Sequence, residues 1–174
     1  LTLGHNVQIG YFAQNQASLL DENLTVFQTI DDVAKGEIRN KIRDLLGAFM
    51  FGGPEQSMKK VKVLSGGERT RLAMIKLLLE PVNLLILDEP TNGLDPSGIQ
   101  EMRELVKSLP QQYGMTVIVS SHLLSEIDQL ADDIGIIANG KMCYQGALSN
   151  LHETDRNKSL EQIFLDLTGK DRSL

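Results

Sequence analysis

Two adjacent acids, Asp88 and Glu89, close the apolar run Leu84-Leu85-Ile86-Leu87. Such a pair at the end of a hydrophobic strand suits phosphoryl transfer, where one carboxylate holds Mg²⁺ and a second acid orients the attacking water. Taken alone, the pair also fits the solvated tip of an ordinary buried strand. Upstream, Ser65-Gly66-Gly67-Glu68 opens a helical stretch. Glycines without side chains let backbone N–H groups approach a phosphate, and the helix N-terminus and the Ser65 hydroxyl complete an anion site. A Ser-Gly-Gly by itself also fits a plain loop. His122 and Gln14 each follow a strand-like segment; individually they read as a surface histidine and a solvated loop amide.

Periodicity supplies the elements that must position these residues. Val7-Gln8-Ile9-Gly10-Tyr11-Phe12 is rich in strand formers and Ala13-Gln14-Asn15-Gln16 is its polar exit, which puts Gln14 on a loop. Thr25 can cap a short helix through Ile30. Ile38, Ile42, Leu45, Leu46 and Phe49 then recur at helical spacing until Gly52-Gly53-Pro54 breaks the pattern. Leu72, Ile75, Leu78 and Leu79 form the stripe of a helix that begins at Gly66-Gly67 and stops at Pro81. The unbroken apolar run before Asp88 reads as a strand buried on both faces of a parallel sheet.

Asp95-Pro96 reads as an N-cap followed by proline at the first helical position, with Ile99, Met102, Leu105, Val106 and Leu109 on one face. Met115-Thr116-Val117-Ile118-Val119 is the next buried strand, and helical spacing resumes over 123–131. The segments 134–138 and 141–145 flank Asn139-Gly140, a hairpin with a type I′ turn. Ser159 caps a last helix with Leu160, Ile163, Phe164 and Leu167 inward and Gly169 as its stop. Buried strands alternating with helices predict an α/β fold with a largely parallel sheet.

The 174 residues suffice for one domain or the larger part of one. A net charge of -6 argues against non-specific nucleic-acid binding, which needs clustered Lys and Arg. Cys143 is the sole cysteine, so no intrachain disulfide forms; a reducing compartment fits, and a lone strand cysteine reads as packing. No apolar run approaches the roughly 20 residues that span a bilayer. The sequence begins at Leu1, not Met, as expected of a piece of a longer chain.

Leu64-Ser65-Gly66-Gly67-Glu68, one helix upstream of Asp88, resembles the signature motif of the ABC ATPase family. In order along the chain, Gln14 looks like that family's Q-loop glutamine, Asp88 its Walker B aspartate and Glu89 its catalytic glutamate. Asn92-Gly93-Leu94-Asp95 is similar to the D-loop, and His122 to the switch histidine. The resemblance implies a partial P-loop NTPase-like ABC ATPase fold. Its helical signature subdomain would cover about 20–80, the Walker B to switch region about 82–131, and a hairpin with helices about 132–174. It implies ATP and Mg²⁺ as cofactors: Glu89 and His122 catalytic, Asp88 and Gln14 at the metal, and Gln14, Ser65, Gly66, Gly67, Glu68 and Asp95 at nucleotide. In the family two such domains meet head to tail, and the signature loop of one closes on ATP held by the other.

The P-loop pattern G-x-x-x-x-G-K-[ST] is not found in the 174 residues, and only 13 precede Gln14. Gly135-Ile136-Ile137-Ala138-Asn139-Gly140-Lys141 imitates it, but Met142 replaces the Ser/Thr and the context is a hairpin. Hydrolysis by these residues alone is therefore not expected. Up to about residue 92, Gly10-Tyr11-Phe12-Ala13-Gln14-Asn15-Gln16 and Leu64-Ser65-Gly66-Gly67-Glu68-Arg69-Thr70-Arg71-Leu72 resemble the second domain of a bacterial ABC-F protein. From Gly93, the D-loop, Ser120-Ser121-His122-Leu123-Leu124-Ser125-Glu126 and the last helix resemble the ATP-binding subunit of an exporter. A junction between two genes within 84–92 is the expectation. Three readings follow: an exporter ATPase working beside a membrane permease, peripheral at the cytoplasmic face; an ABC-F ATPase acting on the ribosome; or a remnant that keeps the fold without binding ATP unaided.

Overall fold

A computed structural model describes residues 4–154 and 158–169, which divide into two compact units, Leu1–Ser120 and Ser121–Leu174. In the first, β1 (Ile9–Phe12), β2 (Leu84–Asp88) and β3 (Thr116–Ser120) form a parallel sheet in that order. Leu85 pairs with Gly10 and Val117, Leu87 with Phe12 and Val119. Pleating therefore puts these six residues on one face, and Leu85, Leu87 and Phe12 are buried there. Tyr11, Ile86, Asp88, Ile118 and Ser120 share the other face.

That alternation corrects two expectations. Leu84 and Ile86 are half-buried, so β2 is covered on one face only among the described residues. Likewise β3 is an edge strand, with Ile118 50 % exposed, because among the described residues only β2 pairs with it.

The helical part is built as read from its caps. Thr25 and Gln28 form a capping box on α1 (Val26–Asp31). The expected helix across the 37–49 stretch is divided: a 3₁₀ turn, Gly36–Lys41, precedes α2 (Ile42–Ala48). Three residues per turn moves Ile38 out of register with Ile42, so Ile38 is exposed while Ile42, Leu46 and Phe49 are buried. After the short α3 (Gly53–Ser57), α4 (Gly66–Leu78) is buried from Thr70 to Ile75 without a break. It packs on α1, on β1 and on α5 (Pro96–Tyr113), and α5 packs on β3. Asp95 caps α5 and Gly114, at φ 63°, ends it.

The second unit holds α6 (Leu124–Leu130), the antiparallel pair β4 (Asp133–Ala138) and β5 (Lys141–Ala147), α7 (Leu148–Thr154) and α8 (Leu160–Thr168). Asn139 and Gly140 both have positive φ, 49° and 73°, as a type I′ turn requires, so the P-loop look-alike is a hairpin. Ile136 pairs with Tyr144 but Ile137 with Met142, which leaves Cys143 as the extra residue of a bulge. It is exposed, not packed. Ser159 and Gln162 form a capping box on α8, whose Leu160 and Ile163 are buried. Leu167, expected inward, is 39 % exposed, because the last turn runs past the packed stripe.

Candidate nucleotide site

Asp88 ends β2 at the C-terminal edge of the parallel sheet, the edge at which open α/β sheets bind ligands. The Tyr11 hydroxyl donates to its Oδ2 at 3.1 Å and the Ser120 hydroxyl to its Oδ1 at 2.7 Å. The acceptor carboxylate, followed by partial burial and by the Asp88 charge, raises the Tyr11 phenol above its ordinary pKa. Among the described residues no three His, Cys, Asp or Glu converge on a metal position. A divalent ion at Asp88 would therefore draw on few carboxylates, with phosphate and water oxygens completing its shell, a donor set that suits Mg²⁺.

Glu89 continues the ladder by one bond, its N–H donating to the Ser120 carbonyl at 3.0 Å. It then turns into the left-handed region at φ 48°. A regular strand would send its side chain to the face opposite Asp88. The turn re-aims it and is closed by the Asn92 N–H donating to the Glu89 carbonyl at 3.1 Å.

A second grouping forms where α4 and α5 begin. Ser65 Oγ accepts from the Glu68 N–H at 3.2 Å, and Glu68 Oε2 accepts from the Ser65 N–H at 2.7 Å. The Glu68 carboxylate is thus engaged in the cap, with Lys59 Nζ 3.8 Å away. Ser65 accepts in this cap, so its O–H proton remains to be donated outward. Gly66 and Gly67, in the first turn, have amides without intrahelical acceptors. The two glycines differ in surroundings. A Cβ on Gly66 would meet Leu94 Cδ2 at 3.5 Å, ordinary contact. On Gly67 it would lie 3.0 Å from the Gly98 Cα. Gly67 is buried where the two helices cross, and Asp95 Oδ1 accepts from the Gly98 N–H at 3.2 Å.

The fold thus joins the 65–67 loop to the 93–98 loop, and Asp88 to Tyr11 and Ser120. Gln14 lies exposed in the turn after β1. His122 lies exposed in the bend before α6, within the second unit. Sequence reasoning missed three residues. Tyr11 reads as a strand former and Ser120 as the start of the switch phrase, and only strand register reveals that they flank Asp88. Gly98 had a usable signal, since a glycine inside a helical pattern costs stability and marks close backbone approach.

A family profile described as "ABC transporter" matches residues 4–92, just over half of the chain. The chain belongs to the ABC transporter family. Its similarity continues past residue 92. It is 37% identical over 155 residues to the Bacitracin transport ATP-binding protein BcrA of Bacillus licheniformis, covering 88% of this chain and 48% of that protein. It is 40% identical over 147 residues to the Lantibiotic transport ATP-binding protein SrtF of Streptococcus pyogenes, covering 83% and 60%. It is also 39% identical over 137 residues to ABC transporter F family member 5 of Arabidopsis thaliana, covering 78% of this chain and 19% of that one. This ABC chain spans about half the length of the first two relatives.

Proposed function

We propose that the chain is part of the ATP-binding and hydrolysing subunit of an ABC exporter, driving transport through a separate membrane permease at the cytoplasmic face. The observation that carries this reading is the similarity to bacterial transport ATP-binding proteins over most of the chain, on both sides of Asp88 and Glu89. No described helix is long and apolar enough to cross a membrane, and a separate permease would supply the crossing. A second reading, an ATPase acting on the ribosome, draws on the similarity to the F family member.

In this reading Asp88 and Gln14 would hold Mg²⁺, directly or through water, and its charge would offset that of the phosphates. Glu89 accepts a proton from the attacking water and orients it. His122 donates to the γ-phosphate. Ser65, Gly66 and Gly67 present one hydroxyl and two amides to the nucleotide of a second, head-to-tail nucleotide-binding domain. Glu68 and Asp95 hold those donors in place as caps. The P-loop that grips the β- and γ-phosphates is supplied from outside these 174 residues. Alone, they hydrolyse little or no ATP.

The expected result is turnover after an upstream P-loop segment is joined to the chain, and none before. Turnover by the 174 residues alone overturns this account. The ABC-F-like phrases before residue 92 and exporter-like phrases after it fit a junction of two genes within 84–92. Amplification and resequencing from source DNA across that stretch tests it. Two separate genes with no joined product would sink a natural fusion.

A further inference from the structure

We infer that Tyr11 and Ser120 are positioning residues that fix the Asp88 carboxylate in the orientation a divalent cation requires; this rests on the metal-binding reading of Asp88 above. The three residues come from three adjacent strands and share one sheet face. Ser120 is the direct register partner of Asp88, and Tyr11 is the partner of Ile86, two residues back along β2. A long side chain at such a diagonal position is within reach of the carboxylate, as a short one at the directly paired position is.

An aspartate at a strand end has a broad χ2 well, so its carboxylate plane is free to turn unless something holds it. Here each oxygen receives one O–H donor from a different strand, at 3.1 Å and 2.7 Å. Rotation about χ2 would break both bonds together. A carboxylate offers about four lone-pair sites; two donors leave one on each oxygen for a cation or its water. Both donors are neutral hydroxyls, so the negative charge that attracts the cation is not cancelled, as it would be by Lys or Arg. Ser120 Oγ also lies 3.5 Å from the Leu87 carbonyl, but its single proton goes to the closer oxygen.

The test uses the P-loop-completed protein labelled with ¹³C at aspartate Cγ, the Asp88 resonance being assigned by its loss in D88N. Without metal, that resonance is expected to shift in both Y11F and S120A and to return to its wild-type position in S120T. Mn²⁺ binding, with and without ATP, is then read from the electron paramagnetic resonance of the free ion. Each of Y11F and S120A is expected to weaken it about tenfold, as loss of an outer-shell partner generally does, with S120T restoring it. Both positions are exposed and each change removes one oxygen, so far-UV circular dichroism should match wild type; if one variant fails to fold, the other decides. A resonance unmoved in the folded variants, or Mn²⁺ affinity equal to wild type where D88N has lost it, overturns the clamp. If D88N binds Mn²⁺ as wild type does, or wild type binds none, the metal reading itself fails and the clamp with it.

Discussion

Glu89 is held at φ 48°, a region that costs a residue with a Cβ about 1–2 kcal/mol. The cost is sustained by the bond from its N–H to Ser120 and by the turn to Asn92. Glu89→Gly or Glu89→Asn removes the strain, and thermal unfolding should show a gain of roughly 0.5–1 kcal/mol. In the P-loop-completed protein the same changes, and the isosteric Glu89→Gln, should lower ATP turnover by several orders of magnitude. A residue that gains stability when replaced and loses turnover is one whose conformation serves chemistry. Turnover unchanged in Glu89→Gln would remove Glu89 from the mechanism.

At the scale of elements, two helix starts with the same cap separate stability from function. Ser65 and Ser159 each sit in a capping box, on α4 and α8. Replacing either by Ala should cost about 1 kcal/mol in denaturant unfolding. Only Ser65→Ala should weaken the association of the completed protein with a second nucleotide-binding domain in the presence of ATP. The glycines divide in the same way. Gly66 has room for a methyl group, so Gly66→Ala should leave stability unchanged or raise it by up to about 1 kcal/mol, yet impair the ATP-dependent association. Gly67→Ala drives a methyl into the Gly98 backbone and should cost roughly 1–3 kcal/mol. Equal stability losses for the two glycines would contradict the packing described.

Across the first unit, one buried ion pair ties the helical part to the layer beside the sheet. Arg71 of α4 is 5 % exposed, ion-paired with Glu101 of α5, and stacked 5.5 Å from the centre of the Phe51 ring. Burial pushes its guanidinium below the ordinary pKa, and the Glu68 charge opposes that. Glu101→Leu strands a buried cation and should cost about 3 kcal/mol, the lower end for such pairs because Glu101 is a third exposed. The double change Arg71→Met, Glu101→Leu should recover most of that loss in a denaturant double-mutant cycle.

Much of this molecule is legible in its sequence, because caps, turns and apolar stripes depend on neighbours within a few residues. Thr25, Ser65, Asp95 and Ser159 start helices where their types predict, and Asn139-Gly140 turns the hairpin where it must. The order of Gln14, Ser65-Gly66-Gly67, Asp88-Glu89 and His122 was likewise readable, and with it the family. Exposure was not. A run of apolar residues states that a strand can be buried, but which face is covered depends on what packs against it, so β2 and β3 are more open than their sequences suggest. The left-handed turn at Glu89, the Gly67 contact with Gly98, and the hydroxyls of Tyr11 and Ser120 on Asp88 were decided only by tertiary structure. Each joins residues distant in sequence, or a backbone angle fixed by such a junction, and strand register and helix crossing alone bring them within reach.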